Sequence, residues 1–260
     1  MPFSSLATRL EAGEAVFSAW SLIPDSQTVE TIAGLDFGAV TLDMQHGGHH
    51  EDSVLRGVAG IRFHRKHAVV RIPVGRFDMA SRALDMGAEA VIAPMVNTVE
   101  DAKAFAEAMK YPPVGLRSWG PGFAMSRTGA SDGQNWLGTA NAATLAFAMV
   151  ETRQAFSLLD DILGVEGIDG VLVGPSDFSI AWSNGDTVDP ALEEMMPAIT
   201  SIAAKARTAG KHAAIYVVDP TLVGRFYAMG FRFFAMGAEA DYMTQGAASM
   251  LSAARDSIGS

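Results

Sequence analysis

Short apolar runs alternate with amphipathic segments along the whole chain, and the alternation repeats eight times. The runs read as strands over 15–20, 38–43, 68–72, 89–93, 145–151, 170–174, 212–217 and 232–236. Most are apolar on both faces, as strands are when helices or a barrel interior cover both sides. The intervening segments carry helical periodicity, among them Asp78–Asp85, Val99–Met109, Gln154–Leu163, Glu193–Ala209 and Pro220–Met229. A glycine recurs between helix and strand, at Gly34, Gly87, Gly210 and Gly230 and more loosely at Gly167. Glycine closes a helix because it enters the left-handed region at little steric cost. Eight strands in strict alternation predict a (β/α)8 TIM barrel rather than an open doubly wound sheet. The length of 260 residues suits one such barrel, so residues 1–260 read as a single domain.

Apolar residues make up 49% of the chain and charged residues 18%, enough for a large core with apolar surface left for oligomer contacts. The net charge is −10. The one basic cluster, Arg62-Phe63-His64-Arg65-Lys66-His67, reads as a helix end facing water. This balance argues against a nucleic-acid partner. Cysteine is absent, which excludes disulfide and thiolate chemistry. No signal-like segment or membrane-spanning apolar run is evident, so a soluble cytoplasmic protein with no membrane partner is expected. The stretch from Tyr111 to Thr144 is too long for a plain loop and reads as functional or partly helical. Met-Gly-Ala-Glu-Ala occurs at 86–90 and again at 236–240, and reads as a reused turn between helix and strand.

Four apolar runs end in charged or polar groups. Leu145–Val150 runs into Glu151, and Val171–Gly174 through Pro175 and Ser176 into Asp177. Ala39–Leu42 ends in Asp43-Met44-Gln45-His46, and Ala68–Val70 in Arg71. Desolvating such groups is unfavourable unless they pair or hold an ion, so four such endings point to a site at one end of a parallel sheet. Two carboxylates without Cys favour a hard cation, Mg²⁺ or Mn²⁺, and two protein ligands leave positions for water and substrate. The same residues also fit two helix N-termini. Asp43 beside His46 makes the histidine a candidate general base, whereas His49 and His50 read as loop histidines, and His46 has that reading open to it too. Arg71 suits a carboxylate clamp or an oxyanion, or a structural ion pair. Trp20 and Tyr216 read as pocket walls or as aromatic packing. The lysines (Lys66, Lys103, Lys110, Lys205 and Lys211) all fall outside the expected strands, which disfavours an imine route.

Several of these segments stand in the order of a known family: Asp43-Met-Gln-His46, Arg71-Ile-Pro, Ile92-Ala-Pro-Met-Val-Asn-Thr98, Tyr111-Pro-Pro-Val-Gly-Leu-Arg117, Val150-Glu-Thr and Gly167-Ile-Asp-Gly-Val-Leu-Val-Gly-Pro-Ser-Asp177. From about Trp20 to Ala240 the chain resembles the class II pyruvate-dependent aldolases of the HpcH/HpaI type. Asp43-Met-Gln-His46 and Arg117-Ser-Trp-Gly-Pro121 look most like the hydroxy-ketoacid, or 4-hydroxy-2-oxo acid, aldolase branch. The resemblance implies a divalent ion (Mg²⁺ or Mn²⁺, with Co²⁺ an alternative) on Glu151 and Asp177. It implies His46 as the acid/base group oriented through Asp43, Arg71 at the enolate oxygen, Asp85 in the network around the histidine, and Trp20 as a wall. Backbone N–H groups of the Gly174-Pro175-Ser176 segment, Pro175 aside, would receive the oxo acid's carboxylate. The implied reaction is reversible cleavage of 4-hydroxy-2-oxo acids to pyruvate or hydroxypyruvate plus an aldehyde through a metal-stabilised enolate. A hexamer built from dimers that exchange the last helix is also implied, with residues 238–256 as that helix. Two positions depart from the pattern. Met149 stands where many members carry Gln, and Tyr216 where some have Leu near the aldehyde pocket. The alternatives are an acyl-CoA ester lyase of the citramalyl- or malyl-CoA type, a phosphoenolpyruvate-type mutase or lyase, and a non-catalytic barrel that binds an oxo acid.

Overall fold

The structure is a computed structural model that describes residues 4–258. The eight strands are β1 (Val16–Ser21), β2 (Ala39–Asp43), β3 (His67–Arg71), β4 (Ala90–Ala93), β5 (Leu145–Val150), β6 (Gly170–Val173), β7 (His212–Val217) and β8 (Phe233–Met236). Each pairs in parallel with the next, and β8 returns to β1 through Val16↔Phe233, so the barrel is closed. The helices that alternate with these strands are α1 (Leu6–Glu11), α2 (Ser26–Ala33), α3 (Glu51–Phe63), α4 (Asp78–Asp85), α5 (Val99–Met109), α6 (Gly122–Thr128), α7 (Gly133–Ala143), α8 (Arg153–Ser157), α9 (Leu159–Leu163), α10 (Pro175–Trp182), α11 (Met196–Thr208), α12 (Val223–Met229) and α13 (Glu239–Ile258).

Side chains on a strand alternate between its two faces. One set, including Val40, Leu42, Ala68, Val70, Ala146 and Ala148, packs outward against the helices. The other fills the barrel: Val16, Trp20, Val69, Ile92, Phe147, Met149, Leu172 and Phe233 form one cluster with Leu6 and Leu10 of α1. The first helix therefore closes the face at the strand N-termini. The opposite face, where Asp43, Arg71, Glu151 and Gly174 lie, holds the polar groups. Inside, Phe147 and Phe233 stack at 5.9 Å between centroids, and Phe147 occupies the space beside Gly170. Ser18 and Thr41, both buried, share a hydrogen bond of 2.8 Å within the barrel.

All eight expected strands are present, and the loose stretch after β4 contains α6 and α7. Three expected helices begin or break differently. Leu158 (φ −100, ψ 11) divides Gln154–Leu163 into α8 and α9. Short 3-10 turns over Glu193–Met195 and Pro220–Leu222 precede α11 and α12. Gly87, Gly167, Gly210 and Gly230 have positive φ, but Gly34 closes α2 at φ −70, a right-handed conformation that any residue adopts. The basic cluster does not simply face water. Arg62 pairs with Glu89, and His67 is buried on β3 with its Nδ1 3.0 Å from the same carboxylate. The repeated pentapeptide serves opposite turns, from α4 into β4 and from β8 into α13. Among the described residues no helix is long and apolar enough to cross a membrane.

The glycines predict opposite responses. A Cβ at Gly170 would lie 2.6 Å from both the His212 carbonyl oxygen and the Phe147 ring. Gly170→Ala is expected to cost about 1–3 kcal/mol in urea unfolding. Gly138, inside α7, has nothing within 4 Å of such a Cβ. There, alanine is expected to stabilise by about 0.5–1 kcal/mol.

Candidate active site

Asp43 and Arg71 are register partners on β2 and β3, so their side chains leave the sheet at the same level. They meet as a bidentate pair, Nε to Oδ1 at 2.9 Å and Nη2 to Oδ2 at 2.6 Å. Asp43 is fully buried. Burial pushes its carboxyl upward, but the bonds and charge of Arg71, the Gln45 N–H and the Trp20 indole outweigh this and hold it below the usual carboxylate range. Trp20 Nε1 donates to Asp43 Oδ2 at 3.1 Å. The Arg71 guanidinium also lies 4.9 Å from the Trp20 ring centroid, and Tyr216 meets that ring edge-on at 5.2 Å. Arg71 is thus an ion-pair partner and a wall of the cavity at once, and both aromatic rings pack and line that cavity.

Glu151 continues the inward register of Phe147 and Met149 one residue past β5. It does not cap a helix: Thr152 caps α8 through a bond from Ala155 N–H. Oε1 of Glu151 instead accepts the Met95 N–H at 2.6 Å, and Met95 takes φ +53 to present it. Such a conformation costs about 1–3 kcal/mol and is typical of functional sites. Glu151 is 2% exposed, and burial, countered by the Met95 bond and reinforced by the charge of Asp177, raises its carboxyl to about 7. Gly174 makes room for it, since a Cβ there would sit 2.7 Å from Glu151 Oε2 and 3.0 Å from the Met149 methyl carbon. Gly174 is also the N-cap of α10, with Pro175 in its first turn. The N–H groups of Ser176 and Asp177 fall in that first turn and have no intrahelical partner, an arrangement that favours a carboxylate nearby. Asp177 is exposed at the same helix start.

His46 is exposed on the loop after β2 and lines the cavity. Asp43 accepts its backbone N–H at 3.3 Å, so the aspartate anchors the loop and not the imidazole ring. Asp85 lies elsewhere. It ends α4 on the face opposite this site and accepts a bond of 2.7 Å from Arg117 Nη2. Within one chain it joins no network around His46. Among the described residues no lysine lies on a strand, and Lys110 is buried in bonds to the Asn141 and Thr144 carbonyls and to Asp169. His50 caps α3, as a loop histidine can. His49 is different: it is buried between Ser21 and Ser53, and its burial depresses it to about 4. Sequence reading also missed Glu239, which is buried against the loop after β1. The repeated Met-Gly-Ala-Glu-Ala was the available signal, because Glu89 and Glu239 both accept backbone N–H groups from distant parts of the chain.

Together Trp20, Asp43, His46, Arg71, Met149, Gly174–Asp177 and Tyr216 surround one cavity of about 280 Å³ at the C-terminal mouth of the barrel. This is the face on which barrels of this type carry their sites. The family model described as HpcH/HpaI aldolase/citrate lyase matches residues 17–245. The chain belongs to this family. A hydroxypyruvate/pyruvate aldolase from Roseovarius nubinhibens is 31% identical, over 94% of each chain. A 4-hydroxy-2-oxo-heptane-1,7-dioate aldolase from Salmonella heidelberg is 32% identical over 92% of this chain and 89% of its own. The solved HpcH/HpaI aldolase from Desulfitobacterium hafniense superimposes with a TM-score of 0.86 over 96% of each chain, at 21% identity, a likeness of fold. This HpcH/HpaI chain is a lyase of the aldolase type, and divalent-metal dependence is general in class II enzymes.

The residues of this family member fit such an ion at its mouth. Among the described residues no three His, Asp or Glu side chains gather as a closed ligand set. Glu151 and Asp177 supply two carboxylate groups, and the charge of Asp177 adds to the cost of ionising the buried Glu151, which a dication would relieve. With chelator present, the raised Glu151 carboxyl stabilises the fold fully below its ordinary value of 4.5, and this is lost as pH rises through about 7. Urea unfolding is expected to show wild type losing on the order of 3 kcal/mol relative to Glu151→Gln between about pH 4 and pH 8. Mn²⁺ at pH 8 is expected to raise the unfolding midpoint of the wild type and leave that of Glu151→Gln unchanged.

Proposed function

We propose that the chain cleaves 4-hydroxy-2-oxo acids reversibly to pyruvate or hydroxypyruvate and an aldehyde. The observation that carries this reading is one 280 Å³ cavity lined by Asp177, a histidine and an arginine tethered to Asp43, with the Glu151 carboxylate packed directly behind its Gly174 wall. Glu151 and Asp177 would hold the divalent ion, Mg²⁺ or Mn²⁺ with Co²⁺ as a further candidate. When bound, it supplies Lewis-acid polarisation of the oxo acid's carbonyl group.

The chain's own residues supply the remaining roles. The N–H groups of Ser176 and Asp177 at the start of α10 receive the substrate carboxylate. Arg71 spends its Nε and one Nη2 hydrogen on Asp43, which leaves guanidinium N–H groups for the oxygen where negative charge develops. His46 takes the proton, from the methyl group of pyruvate in the synthetic direction and from the 4-hydroxyl in cleavage. Trp20 and Tyr216 wall the space beside the reacting carbon. Met149 presents a thioether where an amide would hydrogen-bond the oxo acid, a loss worth about 0.5–1.5 kcal/mol, which tunes selectivity and leaves the chemistry in place.

In this reading the enzyme works in the cytoplasm as a hexamer, a trimer of dimers. Along α13 only Glu239 is buried, while Met243, Met250, Leu251 and Ile258 are exposed, which supports a partner for that helix. A lyase of acyl-CoA esters shares the carboxylates, but among the described residues that line the cavity Arg71, already paired, is the one Lys or Arg.

Incubation with pyruvate in deuterated water is expected to erase the methyl proton signal with Mn²⁺ and not with chelator. His46→Asn is expected to slow this exchange about 100-fold or more. No exchange of pyruvate or hydroxypyruvate under either condition would refute the aldolase reading, and cleavage of a CoA thioester in its place would favour the ester lyase.

A further inference from the structure

Glu239 opens α13 and is 3% exposed, yet of the rest of that helix only Tyr242 is even half-buried. Its carboxylate faces β1. Oε1 accepts the Ser21 hydroxyl at 2.6 Å and the N–H groups of Leu22 and Ile23 at 3.0 and 3.2 Å, and Oε2 accepts the Leu22 N–H at 2.9 Å. A carboxylate with this many donors is a strong anchor. The Ser21 hydroxyl gives its proton to Glu239, so it accepts from His49 Nε2, 2.9 Å away. His49 Nδ1 lies 3.1 Å from the Ser53 hydroxyl on α3. One carboxylate therefore ties the exit of β1 to the segment that follows β2.

That segment carries His46. The Leu22 carbonyl accepts the Gly48 N–H at 2.7 Å. Gly47 lets the two chains close on each other, since a Cβ there would lie 2.5 Å from the Asp43 carbonyl oxygen and 3.0 Å from Leu22 Cα. The other end of the loop is held by Asp43, through the Gln45 and His46 N–H groups. His46 thus hangs between two anchors: Asp43 before it, and Leu22, itself fixed by Glu239, after it. Its ring has no bond to Asp43 to orient it, so the backbone anchors decide where the imidazole sits.

We propose that Glu239 is a positioning residue for His46, acting through Leu22 and Gly48 and braced by Ser21 and His49. This inference rests on the reading of His46 as the acid/base group. It also makes the seating of α13 a condition for an ordered site. If α13 is exchanged between subunits, the part that leaves begins beyond Tyr242, because Glu239 is bound to its own barrel.

The test is Glu239→Gln, which keeps the size of the side chain but loses its charge and one acceptor oxygen. Turnover and amide hydrogen exchange are both measured. The kcat for 4-hydroxy-2-oxo acid cleavage is expected to fall about tenfold or more, as misplacement of a catalytic group allows. The KM for the oxo acid and the Mn²⁺ affinity are expected to stay at wild-type values, because Glu151, Asp177 and the start of α10 are not in contact with Glu239. Amide exchange is expected to quicken in the peptide 44–48 as well as in 21–24. A purely structural anchor would loosen 21–24 alone. Unchanged kcat, a change confined to KM, or unaltered exchange over 44–48 would overturn the proposal. Ser21→Ala removes one bond, keeps the amide contacts, and is expected to move the same readouts in the same direction by less. It decides the matter should the Glu239 variant not fold. If the wild type shows no aldol activity, the aldolase reading fails, while the exchange of 44–48 still decides whether Glu239 holds the His46 loop.

Discussion

Taking a carboxylate and a guanidinium into the mouth of a barrel is costly, and the Asp43–Arg71 pair is the arrangement that makes it tolerable here. Its geometry follows from strand register, since the two residues are opposite one another on β2 and β3. Every lone pair of Asp43 that the pair leaves over is used. The Trp20 indole takes the one on Oδ2, and the Gln45 and His46 N–H groups share the one on Oδ1. The pair thereby fixes a ring, a cation and the start of a loop together. Removing one partner would leave a buried charge without compensation.

Around that corner the fold divides its tasks between two faces. The face at the strand N-termini is stoppered by α1, whose Leu6 N–H reaches the Glu89 carboxylate. The face at the C-termini is left open and carries groups whose environments push them apart. Asp43 is held ionised by Arg71, whereas Glu151 is lifted toward neutrality by burial and by Asp177. Two carboxylates a few strands apart thus differ in state, one a fixed counter-charge and the other a buried group near neutrality, as the proposed cation site requires. Gly174 and the left-handed Met95 are backbone adaptations to Glu151, one by making space and the other by donating an N–H.

The barrel was legible because its signal is local and repeated. Two-faced apolar runs, helical periodicity and a closing glycine recur within windows of a few residues, and the observed strands differ from the expected ones by a residue or so at their ends. The mouth was legible where a strand delivers a side chain inward at its end, as at Asp43 and Arg71, or one residue beyond it, as at Glu151. What escaped were contacts between distant residues with no local pattern. The repeated pentapeptide marks Glu239 but says nothing of its partner Ser21, 218 positions away. Arg62 and His67 look like a solvated basic run until Glu89 arrives from the start of β4. Asp85, placed by resemblance in the histidine's network, bonds within its own chain to Arg117, a contact that no local pattern announces. Gly34 shows the limit of a composition rule, since its helix ends without needing a left-handed residue.

The account stands on Glu151 and Asp177 gripping one divalent ion that receives the oxo acid. Anomalous scattering from crystals grown with Mn²⁺ and pyruvate tests this most directly. The account predicts a single Mn²⁺ between these two side chains, with pyruvate against it and its carboxylate toward the start of α10. Active crystals with Mn²⁺ bound elsewhere, or with the two carboxylates turned away from a shared ion, would contradict it.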